Sequence, residues 1–223
     1  MSKPILEVDS IRKLFGNKLI VSDVYLRCET NNVIGLIGRN GSGKSTLLKI
    51  IFGIVSAENK CIRIDGIVKN KASEVLTEIS YLHQEQFIPN YFGVKKAIAL
   101  SICHSVMKHF LDDNLVQSIL NKKISQLSSG ELRYLEIRLV LFNSSKFVML
   151  DEPFNGLSPL MVEKVIELIK ENSFKKGIII TDHDYENVIA IATQLLLMKD
   201  GKIYPIKNKS DLIEMEYLTP SMI

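Results

Sequence analysis

The spacing of apolar and polar residues changes character twice along the chain, which divides it into three stretches. Up to Leu82 the apolar residues come in short runs broken by Gly and Asn, so strands are expected at 5–8, 19–28, 61–64 and 79–82, grouped as an antiparallel flank. One run differs. Val33 to Ile37 (VIGLI) has the length and branching of a strand buried in a parallel sheet. Ser45 to Phe52 (STLLKIIF) then predicts a helix that Gly53 can cap. From Val94 to Leu141 the period lengthens: Val94, Ala97, Ile98, Ile102, Val106 and Phe110 recur at helical spacing, and Asp112-Asp113-Asn114 breaks the pattern before another helix. Beyond this, strand and helix alternate at 147–150, 159–172, 178–181, 185–192 and 195–198, the βαβ rhythm of a parallel sheet. Asp200-Gly201 between LLLMK and KIYPI predicts a hairpin turn. The whole pattern predicts an α/β fold with an antiparallel β flank and an inserted α-helical lobe at approximately residues 85–143. Residues 207–223 carry little pattern and are read as a C-terminal tail.

Composition narrows the picture. A chain of 223 residues supports one substantial core, so 1–223 is expected to form a single domain. The net charge of +3 comes from interspersed charges with no basic block, so no nucleic-acid partner is expected. Cys28, Cys61 and Cys103 form no C-x-x-C pair, which suits a reducing compartment, the cytoplasm, and neither a disulfide framework nor zinc. MSKPILEVDS has no apolar signal segment, and Val188 to Met198, interrupted by Thr193 and Gln194, is too short to span a bilayer.

Between the buried run and the helix that follows it lies Gly38-Arg39-Asn40-Gly41-Ser42-Gly43-Lys44-Ser45, a complete G-x-x-x-x-G-K-[ST] phosphate loop, with Thr46 next. Backbone N–H groups at a helix N-terminus cradle anions, and glycines let the chain wrap closely around phosphate oxygens. A nucleoside triphosphate is therefore expected, with Lys44 on the β- and γ-phosphates and Ser45 on Mg²⁺. Phe147 to Leu150 ends in Asp151 and Glu152, at the sheet edge where ligands bind. Asp151 is the natural Mg²⁺ anchor, and Glu152 is placed to orient or deprotonate the attacking water. Ser128 and Glu131 have the spacing of a capping box. Asn208-Lys209-Ser210-Asp211 fits the N-K-x-D pattern by which GTP-binding proteins read guanine, but no D-x-x-G accompanies it.

These motifs stand in the order found in one family. The chain resembles the nucleotide-binding subunit of an ATP-binding cassette (ABC) transporter over about residues 5–205. The phosphate loop is followed by Gln84 in YLHQ, by Leu127-Ser128-Ser129-Gly130-Glu131 at the L-S-G-G-Q signature, by LDEP and by His183 in ITDHD. DEPFNGLSP, Glu136 and ITDHD are similar to the lipopolysaccharide-export and branched-chain-amino-acid types. The resemblance implies a P-loop NTPase core that binds ATP with Mg²⁺ and hydrolyses it. It implies that Gln84 touches the metal or the water, that His183 senses the γ-phosphate, and that Phe15 stacks on adenine, although a core Phe would read the same way.

It also implies a homodimer, or a heterodimer with a related cassette. In that dimer Ser128, Ser129, Gly130 and Glu131 face the partner's ATP. Membrane-spanning permease subunits would dock near Phe87, Tyr91 and Phe92, placing the chain at the cytoplasmic face of the membrane. The alternative is a soluble ABC ATPase acting on a macromolecular partner. Ser129 and Glu131 depart from the signature, and Ser158 stands where the family carries Asp, although Ser158 before Pro159 can still cap a helix.

Overall fold

The computed structural model describes residues 3–219. Met1, Ser2 and residues 220–223, which end the expected tail, lie outside them. The strands are β1 (Ile5–Phe15), β2 (Lys18–Glu29), β3 (Val33–Ile37), β4 (Asn59–Ile64), β5 (Ile67–Val68), β6 (Ile79–Leu82), β7 (Phe147–Asp151), β8 (Gly177–Thr181), β9 (Gln194–Lys199) and β10 (Lys202–Ile206). The helices are α1 (Lys44–Phe52), α2 (Ala72–Leu76), α3 (Val94–Ser101), α4 (His104–Leu111), α5 (Asn114–Ile119), α6 (Ser129–Phe142), α7 (Pro159–Ser173), α8 (Tyr185–Ile191) and α9 (Lys209–Glu214). A four-stranded antiparallel sheet runs β2-β1-β4-β5, and a six-stranded sheet runs β10-β9-β3-β8-β7-β6. In the larger sheet only β10 is antiparallel, because Asp200 and Gly201 both adopt positive φ and turn the chain straight back.

Helix α1 lies between the two sheets. Leu47, Leu48, Ile50 and Ile51 are fully buried there, each contributing about 1.5–3 kcal/mol. The other face of the six-stranded sheet carries a second core under α3 to α8. Strand β3 serves both, with Ile34 and Leu36 on one side and Val33 and Ile37 on the other. Helix α8 presses on β3 so closely that a Cβ at Gly35 would lie 2.6 Å from Val188 Cγ1.

Three expectations are corrected. Residues 79–82 join no antiparallel flank: β6 pairs in parallel with β7, from Ile79↔Phe147 to Leu82↔Leu150. All four residues are buried, and burial on both faces is the mark of a parallel sheet. Strand β1 runs on to Phe15, because left-handed Ser10 and bulges after Val8 absorb the break in alternation at Asp9 and Ser10. The helix expected from Val94 to Phe110 is two helices, separated by extended Ile102 and Cys103. Ile102 remains 5% exposed across the break, so the apolar rhythm passes over it unchanged. Helices α2 and α9 had no counterpart in the sequence pattern.

Candidate active site

Strand β3 feeds directly into the phosphate loop, which turns into α1 at Gly43, whose φ of 107° belongs to the left-handed region. The loop is wedged in place, since a Cβ at Gly38 would lie 2.5 Å from Met198 O and one at Gly43 would lie 3.0 Å from Ile20 O. Lys44 folds back into it, donating to Gly38 O at 2.6 Å and to Arg39 O at 3.3 Å. Burial lowers the pKa of this ammonium, opposed by the charges of Glu152, Asp151 and Asp182. Ser42 Oγ is buried with no hydrogen-bond partner among the described residues. A closely wrapped loop with an idle hydroxyl and a buried ammonium has the donor set of a phosphate cradle.

At the next strand ends, Ser45 Oγ donates to Asp151 Oδ1 at 2.9 Å and Gln84 Nε2 reaches Ser45 Oγ at 3.2 Å. Asp151, fully buried, also accepts from Thr181 Oγ1 at 2.8 Å and from the Tyr81 hydroxyl at 2.8 Å. Burial first, and the Asp151 charge second, push the Tyr81 phenol upward, so it remains a donor. Glu152 follows in a left-handed conformation, φ 51°, with its N–H held by Thr181 O at 2.8 Å.

His183 stands 59% exposed with Nδ1 3.3 Å from buried Asp182. Asp182 also accepts from Phe154 N and Asp184 N, which ties the segment carrying His183 to the loop after Glu152. Asp184 turns away to cap α8 through Asn187 N. A cavity of about 420 Å³ opens between Asn155, Gly156, Asp182 and His183.

The structure thus gathers Gly38–Ser45, Gln84 and Asp151 at one point. Among the described residues no hydrogen bond or ion pair joins Phe15, Ser128–Glu131 or His183 to that loop. The capping box is present: Glu131 N donates to Ser128 Oγ at 3.2 Å and Ser128 N to Glu131 Oε2 at 2.7 Å, with Lys122 on the other carboxylate oxygen. Ser158 occupies the N-cap of α7 but its side chain makes no capping bond, so that expected cap is absent. Phe15 is 54% exposed with Lys13 Nζ 5.1 Å from its ring, which removes the core reading. Phe87 and Tyr91 are likewise exposed, whereas Phe92 packs against the core. Asn208 and Asp211 cap α9 reciprocally, which gives both N-K-x-D side chains a structural use in keeping with the missing D-x-x-G.

The contacts of two residues escaped the sequence reading, one of them, Glu136, having served there only as a mark of resemblance. Arg133 on α6 donates to His83 O at 2.6 Å and to Asp151 O and Glu152 O at 2.9 Å each. Glu136, one turn on, accepts from Phe87 N at 3.0 Å and lies 3.8 Å from Arg133. Their signal was present as an opposite-charge pair three residues apart in a helix that is largely buried, where unpaired charge is prohibitive.

A family model described as ABC transporter matches residues 21–155. The chain belongs to the ABC transporter family. It is 26% identical to the lipopolysaccharide export system ATP-binding protein LptB of Acidithiobacillus ferridurans over 94% of this chain and 92% of that one. It is 29% identical to the lantibiotic transport ATP-binding protein SrtF of Streptococcus pyogenes over 96% and 91%. A solved ATP-binding subunit of an ABC transporter superposes with a TM-score of 0.84 at 19% identity, covering 96% of this chain and 94% of that one, and shows the same fold. This ABC chain is an ATP-binding subunit, of the kind that hydrolyses ATP to power transport. No helix among its described residues is long and apolar enough to cross a membrane.

Proposed function

We propose that two such cassettes close around ATP and Mg²⁺ and drive a membrane-spanning partner docked beside Phe87 and Tyr91. The observation that carries this reading is the convergence of Ser45, Gln84 and Asp151 on the phosphate loop, with Gln84 three residues before exposed Phe87. The residues fit Mg²⁺: Ser45, Asp151 and Gln84 would hold it, and it would neutralise phosphate charge during transfer. Lys44 and the loop N–H groups hold the triphosphate, Glu152 orients the attacking water, and His183 reads the γ-phosphate from the adjacent edge. Phe15 offers an exposed ring for the base, worth about 1–3 kcal/mol when stacked. Ser128 to Glu131 open a second helix N-terminus, whose donors and positive dipole end suit the ATP of the other subunit.

The test is purification of this chain from native membranes in mild detergent. A polytopic membrane protein at comparable stoichiometry is the expected result. Recovery only in the soluble fraction, with ribosomes, nucleic acid or no companion, refutes the transport reading and favours an ABC ATPase acting on a macromolecule.

A further inference from the structure

The start of the phosphate loop is gripped from both sides. On the inside, Gly38 O and Arg39 O accept from Lys44 Nζ. On the outside Arg39 meets the segment after α9, where its Nη2 donates to Glu216 O at 2.6 Å.

That segment is itself fixed. Glu216 N bonds Ile213 O and Tyr217 N bonds Leu212 O, the paired bonds of a Schellman ending, with buried Leu212 and Leu218 as its anchors. Glu216 takes the left-handed position at φ 58°, where glycine is the usual occupant, a strain of about 1 kcal/mol that its surroundings sustain. Lys199 Nζ adds bonds to Met215 O at 3.0 Å and to the Glu216 carboxylate at 3.3 Å. Tyr217 also meets Tyr185 edge-on, ring centroids 6.1 Å apart, and Tyr185 begins the helix two residues after His183. Beside these contacts the outer flank of the loop, Arg39 to Ser42, borders a cavity of about 490 Å³ in place of packed side chains.

We infer that Met215–Tyr217 is a strap that positions the phosphate loop through Arg39, with Lys199 as the positioning residue that fixes the strap. The inference rests on the assignment of the loop to ATP phosphates. A loop whose carbonyls hold Lys44 presents that ammonium correctly only while its own first residues are fixed. Losing the strap therefore weakens ATP binding more than it weakens the fold.

The experiment uses the full chain and its Lys199→Met, Lys199→Arg and Lys44→Ala variants. It measures Mg-ATP dissociation constants, steady-state ATPase parameters and melting temperature without nucleotide. Lys199→Met loses the bonds that hold Met215 O and the Glu216 carboxylate, so Kd and KM should rise by about 3- to 10-fold with kcat and melting temperature nearly unchanged. Lys199→Arg keeps the cation and should restore most of the affinity. Wild-type ATP affinity in Lys199→Met overturns the strap, as does a fall in melting temperature with no change in affinity. Wild-type affinity in Lys44→Ala instead overturns the loop assignment, and the strap inference falls with it.

Discussion

Replacing Arg133 with Met tests whether the catalytic edge is held together from α6. The guanidinium donates to three main-chain carbonyls: His83 O at 2.6 Å, Asp151 O at 2.9 Å, and Glu152 O at 2.9 Å, the last also accepting from Asn155 N at 3.3 Å. Hydrogen bonds to a charged group contribute about 1.5–3 kcal/mol apiece, which gives roughly 4.5–9 kcal/mol before relaxation. Water can reach the cleft side of this cluster and replace part of that. The substitution also leaves Glu136, 2% exposed, without its cation, and breaking a buried pair costs about 3–5 kcal/mol. We therefore expect a net loss of about 3–5 kcal/mol in urea unfolding followed by far-UV circular dichroism.

Because Glu152 is held by its own carbonyl, kcat should fall by about 10- to 100-fold while ATP affinity, set at the phosphate loop, stays within about 3-fold. Arg133→Lys should not rescue either property, since an ammonium cannot reproduce a planar fork across three acceptors. A double-mutant cycle with Glu136→Leu should show coupling of at least about 1 kcal/mol. Loss of under about 1 kcal/mol with normal kcat, or additive single effects, would refute the reasoning.

Other expectations follow from the same contacts. Glu152→Gln should keep ATP binding, slow hydrolysis by about 10²- to 10⁴-fold and accumulate an ATP-bound dimer in size-exclusion chromatography; normal turnover would end that role. Burial, then Glu29, push the Cys28 thiol up to about 12, so alkylation of the native protein should mark exposed Cys103 first and spare Cys28 until unfolding. Ser158→Asp supplies the cap that Ser158 does not make and should raise stability by about 0.5–1 kcal/mol in urea melts, with no gain expected if α7 is capped by other means. Ser128 N–H, then Lys122, lower the Glu131 pKa, so its stabilisation is full above the ordinary value of 4.5 and is lost as pH falls through the lowered one. Glu131→Gln should therefore shrink the difference between urea midpoints measured on either side of pH 4.5.

What the sequence made legible was what local chemistry encodes. The phosphate loop is contiguous, so its eight residues announce the cradle directly, and Asp151 at the end of an apolar run announces the sheet edge. Strand partners were harder. Residues 79–82 look alike as flank or as core strand, and only pairing with β7 separates the two. The break at Ile102 was hidden because a side chain can remain inward while its backbone leaves the helix. Tyr81 and Thr181 are unremarkable in one dimension and become hydroxyl donors to Asp151 only when three strands lie side by side. The segment after Ile206 was unreadable for the same reason, since its contacts are with Arg39 and Lys199, up to 177 residues away.

Helix α1 has no solvent-facing stripe of its own core residues: a sheet closes over it on each side, and its apolar side chains are used in both directions. A helix sealed in this way cannot slide or roll without opening an interface, and interiors packed like crystals resist that. It behaves as an anvil. On the function proposed above, force from phosphate oxygens at the loop finds no give beneath it and leaves through the rim, by way of β6 and β7 to α6 and the segment carrying Phe87.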